Sequence, residues 1–166
     1  MLIQDGIPTS EDLSKVLPPQ NRLETGPVAM AECFQKIPCN PCAKACPKKA
    51  IHVEPDINQT PQIDFDQCIG CGICISRCPG LAIFVVDLTY GEDTALVLLP
   101  YEFLPLPVKG QSVLCLDRSG REVGRYPVVK VTPGGNKNLT YVISVAVPKS
   151  LAMEVRNIRV GGDNNE

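Results

Sequence analysis

The chain has 166 residues and a mass of 18.0 kDa, enough for one or two domains with a real hydrophobic core. With 16 Lys+Arg against 18 Asp+Glu the net charge is −2, which supplies no basic field for nucleic acid or anionic lipid. Charged residues make up 20% and apolar residues 44%, which argues against wholesale disorder, while 13 Gly and 16 Pro predict a turn-rich, helix-poor fold and nine cysteines stand out as the anomaly.

Residues 1–27 read as an N-terminal arm. The stretch Met1–Pro8 has no basic region, no long apolar core and no twin-arginine pair, so nothing in it marks the chain for export. The apolar runs around Leu81–Val86 and Ala95–Tyr101 are far shorter than the roughly 20 residues of a membrane helix. The expectation is a cytoplasmic protein whose cysteines are metal ligands or redox groups rather than disulfides, and an odd number agrees, since nine cannot all pair. Within the arm, Thr9-Ser10-Glu11-Asp12-Leu13 is an N-cap signal with acids in the first turn, and Pro18-Pro19 ends the helical stretch, so one short helix is predicted. Gly26-Pro27 punctuates the end of an extended segment that lies over the protein or a partner, or is disordered.

Residues 28–90 hold eight of the nine cysteines in two runs. The second run, Cys68-Ile69-Gly70-Cys71-Gly72-Ile73-Cys74-Ile75-Ser76-Arg77-Cys78-Pro79, has the C-x2-C-x2-C-x3-C-P spacing of bacterial cluster-binding ferredoxins. A loop with cysteines every third residue can wrap three irons of a cubane, and in two-cluster proteins the fourth cysteine ligates the other cluster. Gly70 and Gly72 are expected to let their backbone crowd the cluster and aim N–H groups at its sulfurs. A zinc site is the competing reading, but zinc ligands tend to come as two separated pairs rather than four in one run.

The first run, Cys33-Phe34-Gln35-Lys36-Ile37-Pro38-Cys39-Asn40-Pro41-Cys42-Ala43-Lys44-Ala45-Cys46-Pro47, repeats the pattern with its first cysteine three residues early. Lys36 stands where that cysteine would be, and the loop containing Pro38 is long enough for Cys33 to complete the site, at about 3.3–3.6 Å per extended residue. A cluster held by three thiolates, or a 3Fe-4S form with Cys33 merely packed at a strand end, is the alternative. The flanks repeat as well: Cys46-Pro47-Lys48-Lys49-Ala50-Ile51-His52-Val53 matches Cys78-Pro79-Gly80-Leu81-Ala82-Ile83-Phe84-Val85, an internal duplication of loop, short helix and strand. Crossed ligation assigns Cys33, Cys39, Cys42 and Cys78 to one 4Fe-4S cluster and Cys46, Cys68, Cys71 and Cys74 to the other. Lys44, Lys48, Lys49 and Arg77 stand beside ligand positions, where they either offset cluster charge or are solvated surface. His52 reads as a strand residue rather than a ligand.

Residues 91–166 change character. Ala95–Leu99, Ser112–Leu116, Val128–Val131 and Thr140–Val147 read as strands. Asp117-Arg118-Ser119-Gly120 and Pro133-Gly134-Gly135-Asn136 read as hairpin turns, the latter without the rest of any phosphate-binding motif, and Ser150–Glu154 allows one short helix. Cys115 alternates with Val113 and reads as core filling. About five or six strands suffice to close a small barrel and are too few for a sandwich. The expected fold class is therefore α+β: a two-cluster ferredoxin-like domain followed by a small all-β, barrel-like C-terminal domain that serves for docking.

The segment of about 28–88 resembles the two-cluster 4Fe-4S ferredoxin domain, which implies small sheets flanking two clusters close enough to exchange electrons. The string Ala31-Glu32-Cys33, with Ile37-Pro38-Cys39-Asn40-Pro41-Cys42 and Ala45-Cys46-Pro47, is similar to ferredoxin-type subunits of multisubunit flavin-dependent dehydrogenases acting on proline-like, hydroxyproline-like or sarcosine-like (N-methylated) amino acids. That resemblance implies flavin-containing partner subunits, with FAD or FMN on those subunits and not on this chain. No dinucleotide fingerprint, no C-x3-C-x2-C run and no acid–base or nucleophile pairing is recognisable, so the expectation is an electron-transfer subunit without catalysis of its own. A diffusible ferredoxin is the first alternative; residues 28–90 carry 6 acids and 5 bases, short of the acidic patch such carriers use for docking. A structural or regulatory iron–sulfur module is the second.

Overall fold

A computed structural model describes residues 2–135 and 138–161. The arm forms three short helices rather than one: α1 (Leu2–Asp5), α2 (Ser10–Ser14) and α3 (Gln20–Leu23). Thr9 caps α2 as its sequence foretold. Its Oγ1 accepts from the Asp12 N–H at 3.2 Å while the Asp12 carboxylate accepts from the Thr9 N–H at 2.9 Å, a reciprocal capping box. The third helix starts directly after Pro19, where a proline's fixed φ suits the turn into a helix.

The chain then enters β1 (Val28–Ala31), leaves for the long excursion that contains both cysteine runs, and returns as β4 (Ile83–Asp87), antiparallel to β1 with Val28 opposite Val86. Within that excursion lie α4 (Pro41–Ala45), α5 (Ile73–Arg77) and a separate two-stranded sheet of β2 (Ile51–His52) and β3 (Gln62–Ile63). His52 is exposed on β2. The tail supplies β5 (Thr94–Tyr101), β6 (Ser112–Leu116), β7 (Glu122–Thr132), β8 (Tyr141–Pro148), one turn of 3-10 helix (Lys149–Leu151) and β9 (Asn157–Arg159). Asn136, the last residue of the expected Pro133 turn, lies outside the described residues.

The expected barrel is not formed. All seven long-range strands join one open antiparallel sheet in the order β1-β4-β5-β8-β7-β6-β9. The reason lies in β4: its free edge pairs at once with β5, Val85 opposite Leu98 and Asp87 opposite Leu96, so the tail extends a sheet begun before the cysteine excursion. With β1 at one end of the order and β9 at the other, the sheet stays open.

Its two faces build two cores, because side chains alternate across a strand. Met30, Phe84 and Val86 point into a core shared with Val97, Leu99, Val113, Cys115, Val128, Ile143, Val145 and Ile158. Ala29, Ala31, Ile83 and Val85 point the other way, into a core shared with Cys42, Cys74, Ile51 and Ile75. Strands β1 and β4 are thus buried on both sides, and the cysteine segment packs on the second face. Cys115 is fully buried in the first core, as its alternation suggested; burial pushes its thiol up to about 12.

Candidate metal centre

Helices α4 and α5 are too short to stand alone and serve as corners that turn the chain past a group of thiols. Each ends at a cysteine with extended backbone, Cys46 (φ −71, ψ 113) and Cys78 (φ −82, ψ 111), as the following proline of each run demands. Three residues beyond each cysteine the chain passes through the left-handed region, at Lys49 and Leu81, both with φ 52. That turn points the next amide back at the sulfur: the Ala50 N–H donates to Cys46 Sγ at 3.3 Å and the Ala82 N–H donates to Cys78 Sγ at 3.4 Å. The duplication read in the sequence is therefore also a duplication of backbone conformation.

The thiols fall into two groups. Cys33, Cys39, Cys42 and Cys78 line one cavity, walled by Ile37, Pro61 and Ile83. Cys46, Cys68, Cys71 and Cys74 line the other, walled by Ala29, Ile51 and Ile69. Each cavity draws three cysteines from one run and the last cysteine of the other. Cys33 has reached its cavity from just beyond β1.

Burial is the main influence on these thiols, pushing Cys42 up to about 11, Cys74 up to about 12 and Cys33 above its ordinary value. The smaller effects stay within each group: Cys33 responds to Cys78 and Cys39, and Cys74 to Cys68, Cys71 and Cys46. Buried thiols of this kind lose their protons when a soft metal binds. Among the described residues no three His, Cys, Asp or Glu side chains converge on a point that would hold a single metal ion. Four separated thiols around an apolar-walled cavity suit a multinuclear group, whose irons each take one thiolate.

Several residues that shape the site left no mark in the sequence. Arg22 of α3 clamps the start of the second run: its guanidinium donates to the carbonyls of Phe65 (2.7 Å), Gly26 (3.1 Å), Pro27 (3.0 Å) and Cys68 (2.6 Å). The Ala29 N–H of β1 donates to Cys68 Sγ at 3.4 Å. Among the described residues the N–H groups donated to ligand sulfurs include those of Ala29, Ala50 and Ala82, with Gln35 on Cys33 and Ala43 on Cys42, and not the expected Gly70 and Gly72. Gly70 is needed for a different reason: with φ +62, a Cβ there would lie 2.5 Å from Pro27 of the arm. Of the four cations flanking ligands, Lys44, Lys48 and Lys49 are exposed, Lys48 also lining the second cavity, and Arg77 is half-buried outside both thiol groups.

Beside Cys33, Glu32 forms the hub of a buried ionic group. Its carboxylate accepts from Arg118 Nε (2.8 Å) and Nη2 (2.7 Å) and from Arg156 Nε (2.7 Å). Arg156 also donates to the carbonyls of Ala152 and Val155 and lies 5.1 Å over the Phe84 ring. Burial pushes the Glu32 carboxyl up, but hydrogen bonds from Arg118 and the charge of Arg156 outweigh it and hold the group below the ordinary carboxylate range.

Residues 37–82 match the family model of the 4Fe-4S dicluster domain, so the chain carries a ferredoxin-type iron–sulfur domain; the match begins after Cys33. The chain is 37% identical over 61 residues to the ferredoxin-type protein NapF of Haemophilus influenzae, covering 36% of this chain and 35% of that protein. It is 42% identical over 45 residues to an uncharacterized ferredoxin of Methanocaldococcus jannaschii, covering 27% of this chain and 28% of that protein. It is 43% identical over 47 residues to pyruvate synthase subunit PorD of Methanothermobacter marburgensis, covering 28% of this chain and 51% of that one. The matches thus span between about a quarter and a half of these relatives. No solved structure matches the chain.

Proposed function

We propose that this chain is an electron-transfer subunit that relays single electrons through two 4Fe-4S clusters to or from a flavin-containing partner in an oxidoreductase complex. The observation that carries the reading is the sorting of eight cysteines into two cavities, each completed by the last cysteine of the other run. Cys33, Cys39, Cys42 and Cys78 would hold one cluster, and Cys46, Cys68, Cys71 and Cys74 the other. When bound, each cluster supplies reversible one-electron chemistry. The chain's own part is to hold the thiolates, to donate the Ala29, Ala50 and Ala82 N–H groups to sulfur, and to shield each cavity from water with the buried Ile51 and Ile83 side chains.

The subunit reading, rather than a diffusible carrier, is supported by the arm and tail, which a free carrier does not need. It is supported too by exposed apolar side chains on the tail, Phe103, Leu104 (86% exposed), Val108 and Leu139. Flavin-dependent dehydrogenase subunits acting on proline-like or N-methylated amino acids are the proposed partners.

Anaerobic reconstitution with iron and sulfide tests the clusters. About eight irons per chain are expected, with Cys33→Ser losing iron and altering the spectrum of the reduced protein and Cys115→Ser changing neither. Wild-type iron content and spectra in Cys33→Ser would refute the four-thiolate site. Co-expression with the flavoprotein subunits tests the partner: a stable complex whose flavin is reoxidised through this chain is expected, and a free monomer serving soluble reductases would favour the diffusible carrier.

A further inference from the structure

A cavity of about 340 Å³ lies outside both thiol groups, between α5 and the sheet face beneath it. Cys71 forms part of its rim, yet most of its lining comes from the tail. Arg77, Lys130, Thr132 and Ser144 line it with side chains that can donate hydrogen bonds, Ser76 donates its hydroxyl to the Ile73 carbonyl instead, and among the described residues no carboxylate lines it. Neither Arg77 nor Lys130 has an ion-pair partner among the described residues. Ser144 is 4% exposed, and its hydroxyl makes no hydrogen bond among the described residues, so what accessibility it keeps is toward the cavity. No buried side-chain polar atom among the described residues lacks a partner, so this hydroxyl is open to the cavity and free to bond what enters it.

The backbone is arranged to put Lys130 there. Val128 pairs with Val145, and both belong to the core on the opposite face of the sheet. Regular alternation would send Lys130, two residues on, into that same core. Instead the register shifts between Val128 and Lys130, so that Lys130 pairs with Ser144 and Thr132 with Val142. Cross-strand partners share a face, so the bulge turns the lysine out of the apolar core and sets it beside the Ser144 hydroxyl. Leu98, the β5 partner of Ser144, supplies an apolar wall.

We infer that this cavity is a binding site for an oxyanion, the carboxylate or phosphate of a small molecule. Among the described residues two cations without an ion-pair partner and two hydroxyls line it and no acid does, and the volume is that of a small-ligand site, about 300–1,000 Å³. The site stands whether or not the neighbouring thiols hold clusters, so its failure and that of the electron-relay reading are separable.

The test is calorimetric titration of the full chain, iron-loaded and apo, with inorganic phosphate and, separately, with acetate. Saturable binding of one anion per chain is expected, with phosphate alone, acetate alone or both identifying which oxyanion the site accepts. Lys130→Gln is expected to weaken binding about tenfold or more and Ser144→Ala by about three- to tenfold, with circular dichroism and iron content unchanged. Absence of saturable binding of either anion overturns the inference. So does binding that survives unchanged in both variants.

Discussion

The Glu32 side chain is only 7% exposed, and its single negative charge faces two guanidiniums. Removing the charge while keeping the shape, as in Glu32→Gln, leaves Arg118 and Arg156 facing each other with little solvent between them. The expected destabilisation is about 3–5 kcal/mol, measured by denaturant unfolding. The pH dependence follows from the sign of the shift. Because the folded carboxyl lies below its ordinary value of 4.5, its contribution is complete above that value and is lost as pH falls through the lowered one. The wild type should therefore lose more stability than Glu32→Gln as pH drops through this acid range; parallel losses in the two proteins would contradict the buried pairing. None of this could be read from Ala31-Glu32-Cys33, because the two arginines lie 86 and 124 residues further on.

At the scale of elements, the cysteine runs were legible because their information is local. The spacing within each run, the proline after the fourth cysteine and the repeated flanks together pointed to a duplicated loop, short helix and strand, while the matching left-handed turns at Lys49 and Leu81 emerge only in the structure. The role of Gly70 was not legible, since it depends on the arm packing against the loop. Gly70→Ala would drive a Cβ into Pro27 and strain a positive φ, so a loss of about 2–4 kcal/mol is expected. The effect should be polarised: faster amide exchange in the arm and the Cys68–Cys74 loop, with exchange around Cys39 and Cys42 near the wild-type rate. The bulge at Val129 is a second feature without a local signature. Val128-Val129-Lys130-Val131 reads as an ordinary strand, and only its pairing with β8 shows which way Lys130 points.

For the whole molecule, most tail strands were foreseen individually, but the barrel closure expected of them does not occur. Ser112–Leu116 was read to the residue and the β5 and β8 strands nearly so, whereas Asn157–Arg159, only three residues long, has no alternation to betray it. Pairing partners decide between barrel and open sheet, and β4, which supplies the edge, lies on the far side of the 91 boundary. Truncation after residue 90 tests how much the first part depends on the second. It would strip the cover from Met30, Phe84 and Val86, each worth roughly 1.5–3 kcal/mol of burial. Residues 1–90 are expected to associate or precipitate on size exclusion even with iron and sulfide supplied, whereas a soluble iron-loaded monomer would show that the cysteine segment folds alone.

The Glu32 hub also has a bearing on timing. The carboxylate sits at the exit of β1, next to the first thiol, yet its neutralising partners are made only when synthesis has reached residues 118 and 156. Until then, burying that end of β1 would strand a charge, so the nascent chain gains by keeping the Cys33 corner open to solvent. On the proposed two-cluster reading, loading of that cavity is expected only near completion of the polypeptide, with the other cavity, lined by residues 46–74 and backed by β1, expected to fill earlier.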